Sequence, residues 1–182
     1  MKILMVIANR DFRDEEYEIP YNYFLEKDIV VDVASTEKGD CVGMFGLQAV
    51  ADRALSDVEV PEYFAIVFVG GKGARDLVGN KEILRILEEA KKQKIVVSAI
   101  CIAPMILAQA GLLEGKKATV WDEDSNQRPI LEQEGATFVD GDVVTDGLIV
   151  TANGPKSARP FAEEVLRVAE CEDCWKSPDK VQ

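Results

Sequence analysis

IVVSAICIAPMILAQAGLL, residues 95–113, changes its periodicity half-way along and so decides how the chain is laid out. Residues 95–100 are a short, apolar, β-branched run after a lysine-rich stretch, the pattern of a strand buried on both faces of a parallel sheet. From Pro104 onward Ile106, Leu107, Ala110 and Leu113 recur at helical spacing; Pro104 suits a first helical turn and Gly111 a helix end. Cys101 therefore falls at a tight strand-to-helix turn, a nucleophile elbow that lifts its side chain towards unpaired helix N–H groups. The positive end of the helix dipole is expected to favour its thiolate. The competing reading is a small core residue, the usual fate of an isolated cysteine in an apolar run.

The alternation of strand and helix continues outward in both directions. Residues 2–8, KILMVIA, predict a first buried strand and residues 9–14 the loop that leaves it. A helix is expected through EEYEIPYNYFLEKD, residues 15–28, where Pro20 removes a backbone donor and so kinks it or marks a displaced start. Residues 29–34 and 65–69 predict two more strands, residues 38–47 a loop or short hairpin, and residues 81–92 an amphipathic helix. Gly70, Gly71 and Gly73 follow the third strand at once. Residues 117–120 and 137–139 predict short strands, with a polar loop and helix over 122–134 between them. Asp146-Gly147 suits the tight turn of a hairpin joining 143–144 to 148–151, and residues 160–171 predict a closing helix with Phe161, Val165, Leu166 and Val168 inward.

This alternation predicts a parallel α/β sandwich. Right-handed crossovers place helices on both faces and gather the loops after the strands along one edge, where ligands bind. Residues 9–16, residues 70–75 and Cys101 then converge on one crevice.

At 182 residues the chain has the length of an ordinary domain, expected over residues 1–170 with a mobile tail over 171–182. A net charge of −12 argues against nucleic acid or an anionic membrane surface as partner. Met1 leads into an apolar run without a signal-peptide layout, and no run approaches the roughly 20 residues that span a bilayer, so a cytoplasmic location is expected. The four cysteines, Cys41, Cys101, Cys171 and Cys174, form no dense framework, which fits a reducing compartment. Histidine is absent, which excludes Cys-His dyads, Ser-His-Asp triads and histidine-ligated metal sites.

Four motifs stand in order along the chain: EEYEIP at 15–20, VGG at 69–71, SAICIAP at 98–104 and DGLIVTANGP at 146–155. Together they resemble the ThiJ/PfpI superfamily, over about residues 1–170. The resemblance implies a flavodoxin-like three-layer sandwich with a mostly parallel sheet, like that of class I glutamine amidotransferases. It further implies a small-molecule substrate, no cofactor or metal, a link to stress response and a homodimer or higher homo-oligomer. Cys101 matches the family's reactive cysteine. Glu16 matches the glutamate that hydrogen-bonds its sulfur and, when protonated, supports the thiolate. The backbone N–H groups of Gly71 and Ile102 match an oxyanion hole. Elementary chemistry agrees, since a neutral acid donates to a sulfur anion and fixed N–H groups stabilise charge on a substrate oxygen.

The departures concern histidine and acid. Peptidases of the family place a histidine where this chain has Ile102, and an acid where it has Arg75; members resembling DJ-one often carry a histidine where it has Trp121. Amide cleavage suffers most, because a poor leaving group needs a general acid. Addition of a thiolate to an aldehyde asks less, and oxidation of an exposed thiolate to a sulfinate asks least. The order of expectation is a glyoxalase or deglycase type of enzyme acting on small reactive carbonyls, then a redox sensor or chaperone without turnover, then an intracellular cysteine peptidase.

Several residues have a plainer reading. Glu16 sits in the cluster Asp14, Glu15, Glu16 and Glu18, a pattern typical of a solvated helix face. Gly70 and Gly71 read alone as a chain turn, compatible with a place in the pocket. Arg75 is either a surface partner of Asp76 or a pocket residue that binds a substrate carboxylate, and Trp121 either a core aromatic or an apolar pocket wall. Cys171-x-x-Cys174 is half a zinc site at most, completed only across a dimer, and Cys41 reads as incidental in a glycine-spaced loop.

Overall fold

The computed structural model describes residues 1–122 and 125–171. Among the described residues twelve strands occur in chain order: β1 (Lys2–Val6), β2 (Arg10–Phe12), β3 (Val30–Ser35), β4 (Gly39–Gly43), β5 (Gln48–Ala51), β6 (Arg53–Ala54), β7 (Ala65–Phe68), β8 (Val96–Ile100), β9 (Lys117–Ala118), β10 (Thr137–Phe138), β11 (Val143–Asp146) and β12 (Ile149–Ala152). The α-helices are α1 (Asp14–Glu26), α2 (Lys81–Gln93), α3 (Pro104–Gln109), α4 (Gln127–Gln133) and α5 (Ala158–Glu170). The main sheet runs β11-β12-β8-β7-β1-β3-β6, and every neighbouring pair in it is parallel except β11 with β12.

Alternation along β1 explains the three layers. Ile3, Met5 and Ile7 project into one core with Phe24 of α1 and Phe161, Val165 and Val168 of α5; Leu4 and Val6 project into another with Ile83 and Leu87 of α2 and Ile106 and Leu107 of α3. A strand buried on both faces has no polar side to show, which is why the central strands read as unbroken apolar runs. Asn80 starts α2 by accepting from the N–H groups of Glu82 and Ile83 at 2.9 and 3.3 Å. Gly147, at a φ of 64°, turns the β11–β12 hairpin as the Asp-Gly pair predicted.

Five expectations are corrected. The helix α1 begins at Asp14 and contains Pro20, so the proline marks no displaced start; its missing donor leaves the Glu16 carbonyl without its helical partner. Residues 9–14 are not all loop, because β2 pairs with β4, which pairs with β5 in a second, three-stranded sheet. Cys41 lies on β4, fully buried, and not in a loop. The helix after the elbow is only six residues long, closing at Ala110 with Gly111 in the left-handed region at a φ of 71°. The expected strand at 117–120 forms only as β9, which pairs with β10 outside the main sheet.

Of the cysteine pair at the end of the chain, Cys171 is disulfide-bonded, while Cys174 and the rest of the expected tail lie outside the described residues. No helix among the described residues is long and apolar enough to cross a membrane. Phe161 is completely buried between α5 and the sheet. Phe161→Ala is expected to destabilise the protein by about 3–5 kcal/mol in urea denaturation, against less than about 0.5 kcal/mol for a change at exposed Glu163. A loss below about 1 kcal/mol would place that ring outside the core.

Candidate active site

Cys101 follows directly on β8 with a φ of 62°, a left-handed backbone that residues with a side chain rarely adopt. Such a conformation costs about 1–3 kcal/mol and persists only where its surroundings enforce it. Here the Cys101 N–H donates to the Ala152 carbonyl at 2.9 Å, and the Cys101 carbonyl accepts from the Trp121 N–H at 2.9 Å. The elbow is thus held to β12 on one side and to the segment after β9 on the other. Gly70, just past β7, supplies the space: a Cβ there would lie 2.6 Å from Cys101 Cβ and 2.6 Å from Glu16 Oε2. Gly71 has a φ of 98°, and a side chain on it would strike the backbone at Asp11 and Arg13.

Glu16 reaches the same point from the first turn of α1 and is completely buried. Both carboxyl oxygens lack a hydrogen bond of ordinary geometry among the described residues. Burial pushes the carboxyl up to about 8, against the smaller downward pulls of the Cys101 thiol, the Arg13 charge and the Gly70 N–H. The Cys101 thiol is also pushed up, by burial first and by the Glu16 charge second. The N–H groups of Gly71 and Ile102 lie close to the sulfur and act the other way, favouring the thiolate. The expectation of a thiol acidified by a helix dipole is therefore corrected. A six-residue helix offers a short dipole, and Cys101, at 8 % exposure, responds more to desolvation. The two groups titrate as a pair that is mostly uncharged at neutral pH.

The sequence pattern of the DJ-1/PfpI family matches residues 1–168. The chain belongs to the DJ-1/PfpI family. It is 44% identical over 170 residues to a protein of Methanocaldococcus jannaschii, covering 93% of this chain and 82% of that one. It is 30% identical over 168 residues to a protein of Pyrococcus furiosus named deglycase PfpI, covering 92% of this chain and 99% of that one. Among solved structures, a ThiJ/PfpI domain protein from Brachyspira murdochii superposes with a TM-score of 0.87 at 31% identity, over 92% of this chain and 95% of the other. Drosophila melanogaster DJ-1beta shares the fold, with a TM-score of 0.84 at 24% identity over 98% and 95% of the two chains.

In this DJ-1/PfpI chain Cys101, Glu16, Gly70, Gly71 and Ile102 meet at one point, while Arg75 and Trp121 stand apart on two different walls. Trp121 packs its ring against Gly154 and lines a basin of about 660 Å³ with Arg13, Asp140, Asp142 and Lys156. Arg75 is exposed and lines a separate cavity with Ile102 and Met105. Asp122, which the sequence left without a role, caps α4 by accepting from the N–H groups of Gln127 and Arg128 at 2.8 and 3.0 Å. Among the described residues no group of three or more His, Cys, Asp or Glu side chains is placed to hold a metal ion.

Sequence reasoning missed Arg13 and Asp14. Arg13 donates its backbone N–H to the Gly70 carbonyl at 3.0 Å, pairs with Glu15 at 2.8 Å and lies over the Phe45 ring. The buried Asp14 carboxylate accepts from the N–H groups of Phe45 and Leu47 at 3.0 and 2.8 Å, fastening the β4–β5 turn to the start of α1. The only signal in the sequence was their place just before Glu16, since Asp14 joins a turn 31 to 33 residues downstream that no local pattern reveals.

Because the Glu16 pKa is raised in the folded chain from 4.5 to about 8, the native state keeps a proton that the unfolded chain releases. The stability this provides is full below the unfolded value and is lost as pH rises through about 8. Urea denaturation is expected to show the wild type losing on the order of a few kcal/mol between about pH 5 and about pH 8.5. Glu16→Gln, neutral throughout, should lose much less over that interval. Equal losses in the two proteins would mean that the carboxyl holds no such proton.

Proposed function

We propose that this chain is a cysteine-dependent enzyme that acts on small reactive carbonyls, of the glyoxalase or deglycase type. The observation that carries the proposal is the buried carboxyl of Glu16 set beside the Cys101 thiol, with the Gly71 and Ile102 N–H groups turned to the sulfur. A buried acid with a pKa near 8 exists in both protonation states around neutral pH and can therefore take a proton and return it. The Pyrococcus furiosus relative, a protein named as a deglycase, supports the same class of substrate.

The pair loses its first proton near pH 8, from the carboxyl, and the thiol proton then passes to that carboxylate as the aldehyde arrives. With the remaining proton on Glu16, sulfur is the thiolate. It bonds to the aldehyde carbon while the carbonyl π electrons move to oxygen, and the Gly71 and Ile102 N–H groups act as the oxyanion hole. Glu16 then protonates that oxygen, giving a hemithioacetal. For methylglyoxal, the Glu16 carboxylate would carry the C1 proton to C2 as the hydroxyl proton passes to the second oxygen. Water releases the resulting thioester as lactate and restores the thiol. Each step needs one acid–base group and no histidine, whereas amide cleavage in the peptidase reading would leave Glu16 to serve alone as base and as acid for a poor leaving group, with no histidine to share the work.

Purified protein is expected to convert methylglyoxal to lactate, and Cys101→Ala to abolish this. Glu16→Gln should lower kcat by at least about 100-fold, the scale of a lost general acid–base group. In the wild type kcat/KM should rise with pH and level near 8, as the carboxyl gives up its proton. Lactate formation that survives Cys101→Ala would remove the elbow cysteine from the mechanism.

A further inference from the structure

On the α3 side of the elbow lies a cavity of about 430 Å³, lined by Arg75, Val78, Ile102, Met105, Gln127 and Ile130, within the ~300–1,000 Å³ of small-molecule sites. Its wall at Ile102 joins it to the nucleophile, because Ile102 follows Cys101 directly and its N–H lies close to the sulfur. Three features of the lining are unmatched among the described residues. The Arg75 side chain is exposed and has no ion pair among the described residues. Gln127 is 6 % exposed, and its Oε1 is buried without a hydrogen-bond partner among the described residues. Ile130 is 44 % exposed, and Val78 and Met105 are partly buried beside it.

A buried acceptor left unpaired costs about 1–3 kcal/mol, so a ligand that donates to it has something to gain. A guanidinium takes a carboxylate in bidentate fashion. In a chain of net charge −12, whose overall field repels anions, such a local cation is what seats one. We propose that this cavity binds the main-chain end of an aliphatic amino acid: the carboxylate on Arg75, the α-nitrogen N–H on Gln127 Oε1 and the side chain against Val78, Met105 and Ile130. The assignment deepens the carbonyl reading above and rests on it for its placement in catalysis: the amino-acid half of a carbonyl adduct lies here while the carbonyl carbon faces Cys101. A free amino acid and the C-terminal residue of a peptide present the same three groups.

Isothermal titration of the full-length wild-type chain with leucine, N-acetylleucine, 4-methylpentanoate and 3-methylbutylamine tests this without any turnover. Leucine or N-acetylleucine is expected to bind at least about ten-fold more tightly than the amine, which lacks the carboxylate, and than the acid, which lacks the nitrogen. Arg75→Ala should erase the preference over the amine, and Gln127→Leu the preference over the acid. Tighter binding of leucine identifies the free amino acid as ligand, and tighter binding of N-acetylleucine the peptide terminus. No binding, equal binding of all four, or an unchanged preference in Arg75→Ala overturns the assignment. Leucine binding with no lactate from methylglyoxal would leave the cavity assignment standing and end the carbonyl reading; lactate without leucine binding would do the reverse.

Discussion

A carboxyl group without ordinary hydrogen bonds among the described residues, completely buried against a thiol, is the constraint around which this chain is arranged. Burying an ionised carboxylate is far more expensive than burying a neutral one, so the group keeps its proton and becomes a donor. The rest of the site makes room for that choice. Gly70 withholds a side chain, Cys101 accepts a left-handed backbone, and β12 and the Trp121 amide hold the elbow in place. The energy of two unfavourable local features is offset by a sheet whose two cores are closed by α1 and α5 on one face and α2 and α3 on the other.

Residues 13–16 show how a polar run can place a single side chain inside. Arg13 turns outward to Glu15 and Phe45, Asp14 fastens the β4–β5 turn, and Glu16 faces the sulfur. Each of these charges except Glu16 meets a partner near the surface or backbone N–H donors. The second sheet, β2-β4-β5, thereby acts as an outer brace for the first turn of α1. Pro20, four residues on, removes the helical donor to the Glu16 carbonyl, so that backbone too is less tied to the helix than its neighbours.

Much of the fold was legible because burial on two faces writes itself into the sequence. The apolar runs of β1, β7 and β8, the helical spacing of α2 and α5 and the Asp-Gly turn all follow from local chemistry. What escaped was tertiary. The strand β2 has three residues and no period of its own, existing only because β4 passes beside it. Cys41 looked like part of a loop because glycines flank it, yet pairing with β5 makes it a strand. Composition read Glu16 as solvated, and only the resemblance to a family drew it to Cys101. The titration of that pair was out of reach, because it depends on how deeply both groups are buried and on how short α3 is.

Gly70 carries a consequence for how this sequence can drift. A methyl group at that position would overlap both Cys101 Cβ and a Glu16 oxygen, so the three positions occupy one volume and cannot vary independently. A descendant that exchanged the cysteine or the glutamate for a smaller residue would release the space in front of Gly70, and a side chain there would become tolerable. Once one had been acquired, restoring the lost residue alone would produce a clash. Loss of the pair is thus a ratchet: it is easily entered by single substitutions and reversed only by two changes made together.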